Sequence, residues 1–141
     1  MKEKIFLILI PVFLVFVSSC KDKNKEALNE PLTCDLNLQD CTYKFKGKEV
    51  LISLNPKPLQ ALDITYLKVK NLGDYENLKL KIYGLTMFMG ELKPKLTKLE
   101  NGNYESKIVL SSCTLDTMRF RAEFIQNEKP IGFYFDFELK K

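Results

Sequence analysis

The residues best suited to chemistry in this chain carry sulfur. Met87 and Met89 are separated by one residue, and Cys113 and Met118 follow further along the chain. In extended backbone, residues i and i+2 point to the same face, so the two flexible thioethers can converge on one ion. Thiolate and thioether ligands select Cu(I), whereas harder ions prefer oxygen or nitrogen. The four residues therefore form a candidate Cu(I) site, and core packing is the alternative for each of them.

Histidine is absent from the chain. Its absence excludes Ser-His-Asp catalysis, Cys-His pairs, His-based zinc sites and blue-copper ligation. The carboxylates are scattered, and the six glycines are dispersed rather than gathered in a phosphate loop. These features predict a binding protein rather than an enzyme. A sulfur site without histidine would hold Cu(II) poorly, which predicts copper carriage or storage rather than electron transfer.

The N-terminal residues have the pattern of an export signal. Two lysines within residues 2–4 precede an apolar run at 5–17, which is too short for a transmembrane helix of ~20 residues. Residues 17–20, Val-Ser-Ser-Cys, resemble the cleavage box of bacterial lipoproteins. The resemblance implies removal of residues 1–19 and acylation of Cys20. The domain would then be held to a membrane of the cell envelope, outside the cytoplasm. An uncleaved anchor and an ordinary signal peptide are the alternatives.

Three cysteines remain after Cys20, and disulfides persist outside the cytoplasm. Only six residues separate Cys34 from Cys41, so closing this loop needs no long-range folding. We predict a Cys34–Cys41 disulfide and a free thiol at Cys113. Pairing of Cys113 with either of the others stays open, because spacing alone does not settle connectivity.

Three parts follow one another along the chain. After the signal at 1–19, the lipidated Cys20 and a polar tether form residues 20–33, and the tether reaches ~20 Å as a flexible coil. From residue 34 to 141 the alternation of apolar and polar residues is that of half-buried strands. The Asn101-Gly102 pair predicts a hairpin. Strands are predicted from Cys41, at Val50–Leu54, Leu62–Val69, Leu78–Tyr83, before Asn101, and at Tyr104–Leu110, Met118–Phe124 and Ile131–Leu139.

This pattern predicts an all-β domain. About seven short strands, without a convincing amphipathic helix, favour an immunoglobulin-like antiparallel β-sandwich. The formal net charge of +4 is interspersed along the chain, so nucleic-acid binding has little support. An alternative function is therefore an immunoglobulin-like module, without metal, that contacts another envelope protein. Tyr43, Tyr75 and Tyr134 could contribute to its surface, or be ordinary sheet residues. A redox role for Cys113 lacks a nearby CxxC motif.

Several short motifs also resemble a family of bacterial exported lipoproteins, over residues 34–139. The motifs are Cys34-Asp35-Leu36, Cys41-Thr42, Met87-x-Met89-Gly90 and Cys113-x4-Met118 followed by Arg119 and Arg121. Residues 76–139 resemble YtkA and FixH type β-sandwich domains, which are linked to copper supply for respiratory oxidases. The resemblance implies a copper carrier that serves an envelope copper-accepting or copper-donating protein. Phe120 stands where the first family usually has Trp.

Overall fold

The computed structural model describes residues 28–112 and 114–141. Strand-forming residues alternate between apolar and polar along most of this part, and it folds into nine β-strands. They are β1 (Cys41–Phe45), β2 (Lys48–Asn55), β3 (Ile64–Lys70), β4 (Lys79–Gly84), β5 (Glu91–Leu92), β6 (Leu96–Lys98), β7 (Tyr104–Val109), β8 (Thr117–Gln126) and β9 (Lys129–Lys140).

The strands form two antiparallel sheets. Sheet A has the order β1-β2-β3-β7-β6, and sheet B has the order β5-β4-β8-β9. If β2 to β9 are lettered A, B, C, C′, D, E, F and G, sheet A reads A-B-E-D and sheet B reads C′-C-F-G. This is the strand order of immunoglobulin domains, with β1 added at one edge. The all-β sandwich predicted from the sequence is therefore confirmed, with nine strands in the described residues rather than about seven.

Strands β8 and β9 supply the aromatic part of the core. Because side chains alternate along a strand, one residue in two faces the opposite sheet. Phe120 stacks on Phe137 with ring centroids 5.6 Å apart, and Phe124 contacts Phe133 at 5.5 Å. Burial of each ring contributes about 1.5–3 kcal/mol of transfer free energy. The alternation in these two strands thus places one continuous row of rings between the sheets.

Two tight turns carry the backbone signature expected of their residues. Asn101 and Gly102 both have positive φ, and the amide of Asn103 donates to the carbonyl of Glu100 at 3.2 Å. This is the type I′ geometry that Asn-Gly favours, so the predicted hairpin between β6 and β7 is confirmed. Between β8 and β9 the turn residues are Asn127 and Glu128, also at positive φ, and Pro130 already belongs to β9.

The connections between strands lie at the two ends of the sandwich, because neighbouring strands are antiparallel. We call one end the loop end and the other the turn end. The loop end comprises residues 34–40, 56–63, 85–90, 110–112 and 114–116. The turn end comprises residues 46–47, 71–78, 99–103 and 127–128.

Candidate functional site

The loop between β4 and β5 exposes two of the predicted sulfur ligands. Met87 and Met89 are 41% and 39% exposed, and Phe88 between them is 72% exposed. Core packing, the alternative interpretation of both methionines, is therefore wrong for these two residues. Their thioethers lie at the surface of the loop end, where a ligand reaches them without opening the core.

This loop is held over the first residues of β8. The amide of Leu85 donates to the carbonyl of Arg119 at 2.7 Å, and the amide of Arg119 donates to Oγ1 of Thr86 at 2.9 Å. Beyond Thr86 the chain folds back over Gly84, where a Cβ atom would overlap the carbonyl oxygen of Met87. The close return of the loop therefore depends on glycine at position 84.

Met118 occupies a different environment from the two loop methionines. It lies opposite Leu139 on the core face of β8 and is only 2% exposed. Its methyl carbon comes within 3.3 Å of the point where a Cβ on Gly84 would lie. Met118 thus packs beneath the loop that carries Met87, in the packing role that was the alternative to metal binding.

Two of the predicted modification and ligand residues, Cys20 and Cys113, lie outside the described residues. The residues on either side of Cys113 belong to the loop end. Ser112 lines a cavity together with Met118, and the carbonyl of Thr114 accepts a hydrogen bond from Nζ of Lys141 at 3.2 Å. Three of the four predicted metal ligands are therefore described, and all three lie at this end.

The cavity at the loop end lies between residues 35–38, residues 58–61 and the ends of β8 and β9, and has a volume of about 450 Å³. Met118, Leu139 and Leu59 form part of its apolar lining, and Leu38 stands at its margin. Small-molecule sites commonly have volumes of ~300–1,000 Å³. The loop end thus combines exposed sulfur with a small apolar recess.

The segment before β1 is fastened to the domain at the same end. Cys34 and Cys41 form the predicted disulfide, with Cα atoms 5.9 Å apart. Nδ2 of Asn37 donates to the carbonyl of Glu138 in β9 at 2.8 Å, and Oδ1 of Asn37 accepts from the amide of Leu59 at 3.0 Å. These bonds satisfy a buried amide side chain and tie the segment to β9 and to the loop between β2 and β3.

Asp35 shapes the turn inside this segment. Its Oδ1 accepts hydrogen bonds from the backbone amide of Asn37 at 2.9 Å and from the Asn37 side chain at 3.0 Å. The backbone hydrogen bond is the main reason that the pKa of Asp35 lies below its usual value, and Lys140 adds to the effect. The ionised carboxylate therefore stabilises the turn.

The outer face of sheet B carries a ladder of ion pairs. Arg121 binds Asp136 through two hydrogen bonds of 2.8 and 2.9 Å, and its guanidinium lies 4.0 Å from the ring centroid of Tyr134. Arg119 binds Glu138 at 2.8 Å. Bidentate pairing of this kind fixes the geometry across β8 and β9. Both guanidinium groups already have carboxylate partners, so this face has the character of a structural network.

The three tyrosines predicted for a contact surface have different positions. Tyr43 packs against the core, and its ring lies 6.2 Å from those of Phe133 and Phe135. Burial, with a smaller effect of Asp136, raises the pKa of Tyr43 to about 12. Tyr75 also packs on the core. The prediction that these two side chains contribute to a solvent-facing contact surface is wrong, because β1 and the segment after β3 cover the edge of the core. Only Tyr134 stands half exposed.

The exposure of two leucines at the loop end was not predicted from the sequence. Leu38 and Leu62 are 79% and 70% exposed. Leu62 was expected in a strand, but β3 begins only at Ile64, and Leu62 adopts a φ of 66°. The Asp35-x-Asn37 turn pattern was the available signal that Leu38 follows a tight turn. No local signal marked Leu62.

Comparison of the chain with family models, with curated proteins and with solved structures finds no match. Among residues 28–112 and 114–141, no helix is long and apolar enough to span a bilayer. In the same part of the chain, no group of three or more Cys, Asp or Glu side chains could hold a metal ion. This statement does not cover methionine. For a site built from thioethers, the positions of Met87, Met89 and Met118 are the relevant observation.

Proposed function

We propose that this protein is a membrane-anchored lipoprotein that binds Cu(I) at the loop end of its sandwich. The observation that carries the proposal is the gathering of sulfur there. The sequence has four methionines, and the three that follow Met1 all lie at this end. Met87 and Met89 provide two thioethers on an exposed loop, and thioethers favour Cu(I) over harder ions.

The exposed thioethers are the main ligands in this proposal. Met87 and Met89 bind an ion without unpacking the core, because both side chains already reach the surface. Met118 is buried directly beneath the same loop, so it joins the site only when the loop shifts. Cys113 is the fourth ligand expected from the sequence, and its thiolate would neutralise the charge of Cu(I).

With this anchor, the protein would carry copper within the cell envelope. Acyl chains on Cys20 would hold the domain outside the cytoplasm, at a membrane surface. The resemblance to copper-associated β-sandwich domains favours copper delivery for respiratory oxidase assembly. A neutral or singly charged sulfur site suits transfer, because ligands can be exchanged one at a time with an acceptor.

Titration of the reduced full-length chain with Cu(I), against a colorimetric Cu(I) chelator, tests the site. The Met87→Leu, Met89→Leu double variant removes both sulfurs and keeps the apolar bulk. We expect it to lose more than about tenfold in affinity, which corresponds to ~1.4 kcal/mol. Met118→Leu should lose less, because Met118 is buried.

Phe88→Ala is the matched control, since it lies between the two ligands and carries no sulfur. It should bind Cu(I) with the affinity of the parent chain. An unchanged affinity in the double variant would contradict the copper assignment.

A second candidate is an immunoglobulin-like interaction module that binds no metal and contacts another envelope protein. The observation in its favour is the exposed apolar surface formed by Leu38, Leu62 and Phe88 at the loop end. If the methionine double variant keeps its Cu(I) affinity, this candidate becomes the better explanation of the loop end. Crosslinking from position 88 in intact cells would then identify the partner.

A further inference from the structure

The exposed apolar residues are concentrated at the loop end. Of the ten large apolar side chains exposed in the described part of the chain, seven lie at this end or on the terminal residue of a strand that meets it. Phe88, Leu38 and Leu62 are the most exposed of the ten. Their seven positions are Leu38, Leu62, Ile64, Met87, Phe88, Met89 and Val109.

Leu62 stands out further by its backbone. Within the described residues, seven positions other than glycine have positive φ, and Leu62 is the apolar one among them. Positive φ is unfavourable for a side chain of this kind, and asparagine or glycine normally takes such places. A strained, exposed leucine in a loop suggests that the side chain contacts something outside the domain.

The described chain begins near the same end. Nη1 of Arg119, near the start of β8, donates to the carbonyl of Glu30 at 2.6 Å. The Arg119 side chain is largely buried and also binds Glu138. Glu30 therefore lies on the outer face of sheet B, where β8 and β9 approach the loop end, and the chain runs from there to the disulfide between Cys34 and Cys41.

The remaining length of tether limits where the domain lies. Only nine residues separate Cys20 from Glu30, so the Cα atoms of these two residues lie at most ~35 Å apart. The 12-residue strand β9 alone is ~40 Å long. A tether this short, joined to the domain near its loop end, therefore keeps that end closer to the anchoring bilayer than the turn end.

The charges near these residues are largely paired. Lys57 binds Asp40 at 2.9 Å, and Lys140 lies 3.3 Å from Asp35. These pairs and the exposed Asp63 beside Leu62 leave no cationic patch around the two leucines in the described part of the chain. The contact of this surface with lipid would depend on apolar insertion, and the composition of the headgroups would matter little.

We propose that the loop end docks on the lipid bilayer that holds the anchor, with Leu62 and Phe88 inserted at the interface. The inference rests on the acylation of Cys20 in the proposed function. The tether keeps the domain at high effective concentration at the membrane surface, so a few apolar side chains suffice for docking. The exposed methionine loop then faces the membrane, where a membrane-embedded copper acceptor would stand.

Tryptophan fluorescence tests the docking directly, because the chain contains no tryptophan. Phe88→Trp introduces a probe at the loop end, and Leu99→Trp is the matched control at the turn end. Each full-length lipidated chain is reconstituted into vesicles of phosphatidylcholine brominated on its acyl chains. The probe at position 88 should lose at least about half of its emission, since indoles settle at membrane interfaces. The control should keep its emission.

Two further measurements sharpen the result. Leu62→Ser in the Phe88→Trp background should reduce the quenching, whereas Leu99→Ser should leave it unchanged. Replacing part of the lipid with anionic phosphatidylglycerol should change little. Equal emission at positions 88 and 99 would overturn the bilayer contact and make a protein partner the occupant of this surface.

The mass of the purified chain separates the possible failures. If the chain carries acyl groups but its probe is not quenched, the anchor is supported and the docking is refuted. If the chain carries no acyl groups, both the anchor and the docking that depends on it are refuted. Cu(I) affinity is measured independently in the methionine variants, so its loss or retention bears only on the metal site.

Discussion

The two ends of the sandwich are built in opposite ways, and the turn end is the closed one. The backbone of Gly102 packs directly on that of Gly73, where any Cβ at position 102 would come within 2.9 Å. The hydroxyl of Tyr104 donates to the carbonyl of Gly73 at 2.9 Å and accepts from the amide of Tyr75 at 2.8 Å. Buried polar groups at this end thus have partners within the fold, which is what stability requires.

The loop end leaves apolar groups exposed instead. Phe88 and Leu62 extend outward, and the loop with Met87 and Met89 rests on the domain through its first two residues. In antibody variable domains the binding loops include the B–C and F–G connections, which correspond here to the turn end. In this chain that end is occupied by structural contacts. The opposite end of the sandwich is the one where most of the exposed apolar side chains in the described residues lie.

The largest expected effect comes from truncating one aromatic side chain at each end and comparing the losses of stability. Tyr104→Ala removes a fully buried ring together with its two close hydrogen bonds. We expect it to lower the free energy of unfolding by about 3–5 kcal/mol. Phe88→Ala should change it by no more than ~0.5 kcal/mol, because the ring is mostly exposed. Chemical denaturation of both variants measures the difference. Similar losses in the two would refute the contrast between the ends.

A second pair of variants adds one methyl group at a glycine of each end. Gly102→Ala meets backbone atoms of Gly73 and must keep a φ of 69°, so it should cost about 2–3 kcal/mol of stability. Gly84→Ala meets the carbonyl oxygen of Met87 at 2.2 Å, so the backbone of the β4–β5 loop must shift. Its expected cost is of the same order, about 1–3 kcal/mol.

The informative measurements on Gly84→Ala are therefore those that report the position of the loop rather than the stability of the fold. Displacement of the loop should alter Cu(I) affinity and the quenching of a probe at position 88, both of which Gly102→Ala should leave unchanged. Gly47→Ala is a useful reference, because it shares a positive φ with Gly102 but meets no atoms within 4 Å. If Gly47→Ala destabilises as much as Gly102→Ala, backbone strain rather than the Gly73 contact explains the loss.

The smallest expected effect concerns pH at the loop end. The pKa of Asp35 is lowered in the folded state from its ordinary 3.8. Its stabilising contribution is therefore fully present above pH 3.8 and is lost as the pH falls further, through the folded-state pKa. Asp35→Asn should lower the free energy of unfolding by about 0.5–1 kcal/mol near neutral pH.

Thermal unfolding of Asp35→Asn and of the parent chain between pH 7 and 2.5 measures this contribution. The difference between the two should shrink below pH 3.8. Glu100→Gln at the turn end is the control, because that side chain is exposed. A constant difference over the whole pH range would show that the ionised carboxylate of Asp35 does not stabilise the loop end.

Most of the strands followed from the sequence, because the alternation of side chains along a strand is local. The rows of β4, β7, β8 and β9 were recognisable in this way, and so was the Asn101-Gly102 turn. The two-residue strand β5 was not, since Glu91–Leu92 is too short to show a period. Tyr43 and Tyr75 were misjudged because their burial depends on neighbours from distant parts of the chain.

Local features of the sequence were enough to predict the class of the fold, to favour the Cys34–Cys41 pair and to define the set of sulfur residues available for a ligand. Side-chain alternation, short loop closure and residue chemistry are all local properties. The burial of Met118 and the exposure of Met87 and Met89 were visible only in the folded chain. The same holds for the position of the exposed leucines at one end of the sandwich. Burial and position depend on what packs opposite a residue, and that partner comes from elsewhere in the chain.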